Sequence, residues 1–411
     1  MPSRLGVGIT SASAIWVVNN SHTRSSYHPP ARSPAPMWEV RIAGAGQTPF
    51  GRSPSTLASM VEEAAETALG RSSVDDVDAV VLGSMAPMGT LGEAHVTSKI
   101  MDHLGLTPRP AIRVESGPAT GAAALHAAYW AVSSGQHETV LVLAAEKLSH
   151  LEAREATGVL ARIATVEERT LGLTMPGMTA LLARAYMERH GATEDDLADL
   201  AVKAHRNAMS NPYAHRRKRL SREDVLGDHM VAHPLRRYNC APLSDGAVAV
   251  VVTSRYAGTA RISGIGAATD RLRYAERKML EGFPASGLAA AHALRMAGQK
   301  AGDIHLLETH DAFSNLEWSN PEDLGLLGKG EGVGAARRGD TDLGGKLPIN
   351  PSGGLTAKGH PVGASGLSQV AEVYWQLAGE AKGRQVDAAA GMAHSIGGFG
   401  ASVFVTILEM V

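Results

Sequence analysis

Two stretches of this chain, one near its middle and one at its end, carry the same pattern. Residues 244–253 (Ser-Asp-Gly-Ala-Val-Ala-Val-Val-Val-Thr) and residues 399–408 (Phe-Gly-Ala-Ser-Val-Phe-Val-Thr-Ile-Leu) each lead from a Gly-Ala turn into an apolar run. Short apolar runs that follow turn residues are typical of buried strands. Because one such strand closes each part of the chain, the sequence predicts a fold built from two similar halves.

Strand-like and helix-like segments alternate along most of the chain. Residues 37–46 predict the first strand of the folded part, and the apolar runs at 78–83 and 139–144 predict buried strands. Between or beside them, residues 57–69 and 121–133 have helical patterns. This alternation is typical of an α/β fold.

The predicted halves cover residues 37–254 and 259–411. Within the first half, the region from about 147 to 237 is richer in charge and longer than a usual connection between elements. It has helical patterns of its own, such as residues 180–190. We therefore expect an inserted loop or cap domain at 147–237.

The first 36 residues differ in composition from the rest. They include a polar, basic, Pro-rich stretch without periodicity, which predicts a disordered extension over residues 1–36. The mildly apolar residues 5–18 resemble a signal-peptide core, but no small-residue cleavage site follows them clearly. The alternative is an extended or misassigned start of the protein.

Composition excludes several classes of protein. A formal charge of -2 and a pI near 6.8 give no indication of nucleic-acid binding. No apolar run approaches the roughly 20 residues of a membrane span, so we expect neither a membrane partner nor a location other than the cytoplasm. Cys240 is the only cysteine, which excludes an internal disulfide and a Cys-based zinc site.

Four motifs occur in a fixed order along the chain. They are residues 112–121 (Ile-Arg-Val-Glu-Ser-Gly-Pro-Ala-Thr-Gly), 309–313 (Thr-His-Asp-Ala-Phe), 358–366 (Lys-Gly-His-Pro-Val-Gly-Ala-Ser-Gly) and 394–400 (His-Ser-Ile-Gly-Gly-Phe-Gly). In type and order they resemble the active-site blocks of the thiolase superfamily, most of all its archaeal and sterol-carrier-type members. Residues 211–219 are similar to the sterol-carrier type as well.

The resemblance covers about residues 37–411 and implies the thiolase fold. In that fold two duplicated βαβαβαββ halves form five layers, α-β-α-β-α, with a loop domain inserted in the first half. The resemblance also implies a homodimer, an acyl-CoA substrate and, for archaeal-type relatives, a small zinc-binding OB-fold partner protein. Coenzyme A is then part of the substrate, and neither a permanent cofactor nor a metal is expected.

In the family, the first block supplies a cysteine nucleophile at a helix N-terminus, and Pro118 stands at that position here. Proline has neither a nucleophilic atom nor a backbone N–H, so both the acyl acceptor and one oxyanion donor are missing. Ser116 is a poor substitute, because the sequence places no base beside it. Cys240 lies where relatives carry a cysteine that looks structural, and most lone thiols are small buried hydrophobes.

The remaining blocks retain their polar residues. The resemblance assigns His310 and His360 to the binding of a thioester oxygen, and Ser395 stands where many thiolases have a second, acid/base cysteine. Gly397 and Gly398 match the backbone that approaches the substrate closely. Two converging imidazoles are suited to stabilising an enolate.

A basic stretch in the predicted insertion is a candidate for phosphate contacts with coenzyme A. The residues concerned are His205, Arg206, His215, Arg216, Arg217, Lys218 and Arg219. A solvated basic surface or a partner-binding face is the alternative, and for any single residue it is the stronger one.

The sequence thus predicts enolate chemistry without a cysteine acyl-enzyme. A retro-aldol or aldol reaction on a β-hydroxyacyl-CoA fits best, and a non-covalent Claisen-type acyl transfer stays open. His310, His360 and Tyr238 are candidates for the base. The alternative is a catalytically silent relative that binds acyl-CoA or scaffolds a partner, which Pro118 favours.

Overall fold

The computed structural model describes residues 38–277 and 281–411, apart from the side chain of Ala153. The predicted disordered extension, residues 1–36, lies outside the described residues. The described residues form one compact unit.

The strands agree closely with the apolar runs of the sequence. They are β1 (Arg41–Gln47), β2 (Ala79–Gly83), β3 (Ala111–Val114), β4 (Thr139–Glu146), β5 (Met230–Ala232), β6 (Leu235–Arg236), β7 (Gly246–Thr253), β8 (Ala260–Thr269), β9 (Leu306–Glu308), β10 (Ala390–Gly397) and β11 (Ser402–Met410).

The helices fill the intervals between strands. They are α1 (Leu57–Gly70), α2 (Pro87–Thr90), α3 (Val96–His103), α4 (Thr120–Ser133), α5 (Ala153–Ala161), α6 (Val166–Thr170), α7 (Met175–His190), α8 (Glu194–Ala208), α9 (Arg222–Leu226), α10 (Pro284–Ala297), α11 (Leu316–Asp323), α12 (Gly332–Arg337), α13 (Gly354–Lys358) and α14 (Val362–Leu377).

The main strands form a mixed sheet in the order β3-β2-β4-β7-β1-β8-β11-β10-β9. In its first part β2 and β4 are parallel, and β7 lies antiparallel between β4 and β1. In its second part β9 and β10 are parallel, and β11 lies antiparallel between β10 and β8. The same four-strand arrangement therefore occurs twice, and β7 and β11 are the two strands predicted from the repeated pattern.

The duplication extends to helix packing. A Cβ atom on Gly46 of β1 would clash with the carbonyl oxygen of Ala64 in α1, and one on Gly266 of β8 would clash with that of Ala289 in α10. Each glycine thus lets a helix backbone approach its strand closely. This equivalence supports the two-half interpretation independently of strand order.

Helices lie on both sides of the sheet and between its two parts. α1 and α3 cover one face of the first part with an apolar cluster that contains Val61, Ile100 and Val251. α10 covers the outer face of the second part, and α4 and α14 pack against each other between the parts. Every residue of α14 is buried. The predicted α-β-α-β-α layering is confirmed.

Between β4 and β7 the chain forms helices α5 to α9 and the β5–β6 hairpin. This segment packs on the second half through Tyr186 and Leu197, which share an apolar cluster with Trp318 and Val333. The boundaries predicted for an inserted domain, 147–237, stay a prediction. Among the described residues, no helix is long and apolar enough to cross a membrane.

Candidate functional site

A cavity of about 370 Å³ lies where the sequence motifs meet. Pro118, His310, His360 and Gly398 all line it, and each comes from a different one of the four blocks. Blocks as far apart as residues 118 and 398 converge because the two halves of the chain pack face to face around α4 and α14. The cavity is therefore the candidate active site.

His310 follows β9, and hydrogen bonds to the backbone and side chains around it fix its position. The side-chain amide of Asn320 donates to the carbonyl oxygen of His310 at 3.1 Å and to the hydroxyl of Thr309 at 2.9 Å. That hydroxyl lies 2.9 Å from Nδ1 of His394, whose Nε2 lies 2.9 Å from Ser286 Oγ. A chain of buried polar side chains thus fixes the start of the loop that presents the His310 imidazole.

His360 lies in the short loop between α13 and α14. Its backbone N–H donates to Ser244 Oγ at 3.2 Å. The Ser365 hydroxyl donates to the carbonyl oxygen of Pro361 at 3.1 Å, and Ser365 Oγ lies 2.7 Å from Nδ1 of His360. Because a hydroxyl has one proton to donate, Ser365 accepts from Nδ1–H, and this network assigns the unprotonated position of a neutral ring to Nε2.

The two imidazoles lie against each other and are neutral. Their ring centroids are 5.2 Å apart and their planes meet at 85°. Burial lowers the pKa of His360 to about 4. Burial, followed by the neighbouring His360 and His394, holds the pKa of His310 well below its ordinary value. At neutral pH the pair therefore offers one lone-pair nitrogen and one further uncharged ring to a ligand.

We expect Ser365→Ala to lower turnover by about tenfold or more, because an unanchored His360 ring loses its preferred tautomer and orientation. KM should change little, since Ser365 does not line the cavity. Ser368→Ala is the matched control: Ser368 is buried on the same helix and donates to the carbonyl oxygen of Ser365, 2.8 Å away. Equal losses in both variants would show a structural effect on α14 rather than on His360.

Pro118 lines the cavity two residues before the start of α4. In the same turn, the N–H of Ala119 donates to the carbonyl oxygen of Ser116 at 3.1 Å. Ser116 Oγ instead donates to Ser402 Oγ at 3.0 Å and lines a different cavity. The structure therefore places no hydroxyl nucleophile from this turn beside the two histidines.

Only one of the two glycines at the end of β10 lines the cavity. Gly398 lines the cavity and has a φ of 56°, which favours glycine. Gly397 is paired with Ser402 across the β10–β11 hairpin and does not line the cavity. Of the two, Gly398 alone is placed to bring its backbone to a ligand.

Ser395 is not brought to the cavity, which departs from the expectation of a catalytic serine. It is 1% exposed, its Oγ has no hydrogen-bond partner among the described residues, and it packs close to Gly366 of α14. Its neighbour Ile396 lines the cavity instead. The physical reason is strand alternation, because successive side chains of β10 point to opposite faces.

Cys240 lines the cavity together with the two histidines, which the sequence did not predict. It pairs with Phe313 through an isolated bridge, and this contact brings the segment before β7 next to the His310 loop. Sγ donates to the carbonyl oxygen of Arg236 at 3.4 Å. Burial raises the pKa of the Cys240 thiol to about 12, so the thiolate is scarce at neutral pH.

We expect the Cys240 thiol to form no acyl-enzyme and to react slowly with iodoacetamide. A pKa raised from 9.0 to about 12 lowers the thiolate fraction by about a thousandfold. Alkylation of the folded protein at pH 7.5 should therefore be at least about a hundredfold slower than in urea, where the same thiol is the control. Intact mass after incubation with acyl-CoA should show no adduct. Rapid labelling or a stable thioester on Cys240 would contradict this.

Comparison with protein families agrees with this arrangement. A family described as "Thiolase, N-terminal domain" matches residues 40–256, and "Thiolase C-terminal domain-like" matches residues 266–410. The chain belongs to the thiolase family. The resemblance inferred from the four motifs is thereby confirmed.

Relatives of this thiolase-family protein cover most of its length. The acetyl-CoA acetyltransferase of Methanothermobacter thermautotrophicus is 39% identical over 384 residues, 91% of this chain and 100% of that protein. Sterol carrier protein 2 of Oryctolagus cuniculus is 34% identical over 407 residues, 92% of this chain and 73% of that protein. The solved "Ltp2-ChsH2(DUF35) aldolase" has a TM-score of 0.78 at 24% identity, covering 92% and 99% of the two chains, and supports the fold.

The basic residues expected to contact coenzyme A do not form one surface in this thiolase. His205 is fully buried, its Nδ1 lies 2.9 Å from the carbonyl oxygen of Ala201, and burial lowers its pKa to about 4. It is therefore wrongly placed for a phosphate contact, because α8 turns it toward the interior. Arg206 is exposed and pairs with Asp342 at 2.7 Å.

Three other cations surround Tyr238. The guanidinium carbons of Arg216 and Arg237 lie 5.7 and 5.1 Å from its ring centroid, and Nζ of Lys218 lies 6.0 Å away. Arg216 also donates to the carbonyl oxygen of Cys240 at 3.1 Å, which links this cluster to the cavity wall. Arg217 is exposed and donates to a backbone carbonyl at 3.3 Å.

Tyr238 itself does not line the cavity, so the geometry does not favour it as the base. The sequence analysis did not predict Arg237 as a member of this cluster, although its position directly before Tyr238 and close to Cys240 could have indicated it. Among the described residues, no group of three or more His, Cys, Asp and Glu side chains is arranged to hold a metal ion.

Proposed function

We propose that this thiolase-family protein makes or breaks a C–C bond in an acyl-CoA thioester through an enolate, without a cysteine acyl-enzyme. The reaction that fits its residues best is retro-aldol cleavage of a β-hydroxyacyl-CoA, or the reverse aldol addition. One observation carries the proposal: two neutral imidazoles 5.2 Å apart face a cavity in which Pro118 occupies the nucleophile position.

His360 is assigned the role of base. Nδ1–H is committed to Ser365, so Nε2 carries the lone pair in the neutral ring. In the cleavage direction, Nε2 takes the proton of the substrate's β-hydroxyl group, the Cα–Cβ bond breaks, and a ketone or aldehyde leaves. The electron pair of that bond moves to the thioester as an enolate. The same proton can then return to Cα, which gives the shortened acyl-CoA.

His310 is assigned to the enolate oxygen. Its Nδ1 is buried without a hydrogen-bond partner among the described residues, and its ring lines the cavity. An unpaired buried nitrogen costs free energy that a ligand contact recovers. The backbone of Gly398 is a second candidate donor. Pro118 supplies none, and one lost oxyanion donor alone costs about a hundred- to a thousandfold in rate in other enzymes.

A non-covalent Claisen-type acyl transfer uses the same enolate and stays the second form of this proposal. The relatives named acetyl-CoA acetyltransferase support acyl-CoA as the substrate, and the solved aldolase complex supports the retro-aldol form and a partner protein. The Tyr238 cations are proposed as phosphate contacts for coenzyme A. From the resemblance to the thiolase family we also propose a homodimer, a zinc-binding OB-fold partner and a cytoplasmic location.

Pro118 also supports a different class of function, a silent relative that binds acyl-CoA without turnover. Incubation of the full-length protein with a panel of β-hydroxyacyl-CoA and β-ketoacyl-CoA esters, alone and with a small zinc-binding OB-fold protein, separates the alternatives. Retro-aldol chemistry predicts cleavage of β-hydroxy esters without added free CoA. Thiolysis of β-keto esters that requires CoA would contradict it, and binding without any turnover would support the silent form.

A further inference from the structure

The wall of the histidine cavity is almost entirely apolar. Among the described residues that line it, no side chain is charged, and the polar ones are three threonines, Cys240, His310 and His360. The rest include Phe283, Phe313 and Phe399. A cavity of this kind cannot hold the phosphates of coenzyme A, because buried anions need partners. Whatever occupies it beyond the thioester is uncharged and apolar.

The size of the cavity sets a scale for that group. Its volume is about 370 Å³. If a methylene takes about the volume of a liquid water, roughly 30 Å³, the space holds about a dozen such groups. An acetyl group would occupy only a small part of it and leave the rest of the apolar wall in contact with water, which is unfavourable.

Phe399 occupies a backbone position that phenylalanine rarely takes. It has a φ of 51° and stands between Gly398 at 56° and Gly400 at 86°, in the turn that joins β10 to β11. The N–H of Ala401 donates to the carbonyl oxygen of Gly398 at 3.2 Å and closes the turn. Glycine or asparagine normally fills such positions. A strained aromatic residue at a cavity wall indicates that its side chain is needed there.

Aromatic neighbours fix the ring of Phe399. Its centroid is 5.3 Å from that of Phe283 at 90° and 5.4 Å from that of Tyr274 at 62°. A Cβ atom on Gly400 would clash with the ring of Phe283, so the glycine lets this pair form against the turn. The result is a rigid aromatic face on one side of the cavity.

We infer that the acyl group of the substrate is bulky and apolar, filling the cavity with about eight to ten carbons beyond a short acyl-CoA, and that Phe399 is the residue that limits its size. This inference rests on the proposed function for the identity of the ligand as an acyl-CoA. It goes beyond that function because neither the enolate chemistry nor the two histidines specify the acyl group.

Calorimetric titration with saturated straight-chain acyl-CoA esters, from acetyl to hexadecanoyl, tests it without requiring turnover, because these esters have no β-hydroxyl group to cleave. Affinity of the wild-type protein should rise by about fourfold per methylene and then level off at about twelve carbons. Phe399→Ala should move that limit upward by about four carbons, since it empties the space of a phenyl ring.

Phe404→Ala is the matched control, because Phe404 is a partly buried phenylalanine on β11 that does not line the cavity. It should leave the limit unchanged. Ala161→Phe, which adds a ring to the cavity wall at the end of α5, should lower the limit and decides the question if Phe399→Ala fails to fold.

Affinity that is independent of chain length, or a limit that neither substitution moves, would overturn the inference. Because binding is measured, that result leaves the enolate proposal standing. Conversely, if the chain-length limit moves as expected but the protein turns over no substrate, only the proposed reaction is refuted.

Discussion

Replacing His360 with alanine is expected to lower the rate of α-proton exchange of a bound acyl-CoA by about a hundred- to ten-thousandfold, the usual contribution of a positioned base. The reason is the single lone-pair nitrogen that Ser365 leaves on the His360 ring. Exchange with deuterated solvent, followed by mass spectrometry, needs no knowledge of the true substrate. Binding of the ester should stay within a few-fold of wild type, because the base acts mainly in the transition state.

His126→Ala is the control for that experiment. His126 is also buried, burial lowers its pKa to about 4 as for His360, and its Nε2 lies 3.1 Å from the hydroxyl of Thr406, but the residue does not line the cavity. It should keep exchange within about threefold of wild type. Since burial lowers the pKa of His360 to about 4, the exchange rate should not fall with the titration of an ordinary histidine near pH 6.5. Equal exchange in wild type and His360→Ala would remove His360 from the mechanism.

His310→Ala is expected to reduce the same exchange by about a hundred- to a thousandfold, as for the loss of one oxyanion donor. The change removes the only side chain that we assign to the enolate oxygen, in a cavity where Pro118 offers no N–H. His310→Gln keeps an N–H donor of similar reach and should recover part of the rate. If Gln and Ala variants are equally slow and bind ester equally well, hydrogen-bond donation by His310 is not its role.

The double variant separates joint from independent action. If both imidazoles act on one transition state, the combined loss should be smaller than the product of the two single losses. Thermal unfolding of all variants should be measured alongside, because a cavity left by a buried histidine destabilises the fold. A multiplicative loss would instead indicate two separate steps.

Much of the fold was readable from the sequence because its strands are continuous apolar runs. β4 and β7 are buried on both faces, so each appears in the sequence as a continuous apolar run of strand length next to turn residues. The repeated Gly-Ala turn identified β7 and β11 as equivalents, and the sheet order bears this out. The five layers, in contrast, followed from the family resemblance rather than from any local pattern.

The candidate site was readable only in part. His310 and His360 stand in motifs whose spacing survives, whereas the direction of Ser395 depends on which face of β10 turns to the cavity. The burial of His205 and the exposure of Cys240 to the cavity depend on contacts between distant segments, such as the bridge from Cys240 to Phe313. Sequence spacing carries no record of such contacts.

The most direct test of the central claim is C–C bond cleavage by the Cys240→Ala protein, which contains no cysteine at all. Wild type and variant are incubated in deuterated solvent with the β-hydroxyacyl-CoA ester that the panel identifies, and both products are quantified by mass spectrometry. The account predicts that the cysteine-free protein releases the carbonyl compound and the shortened acyl-CoA at a rate within a few-fold of wild type. Loss of cleavage in the variant, with ester binding and folding intact, would show that the reaction passes through the thiol and would contradict the account.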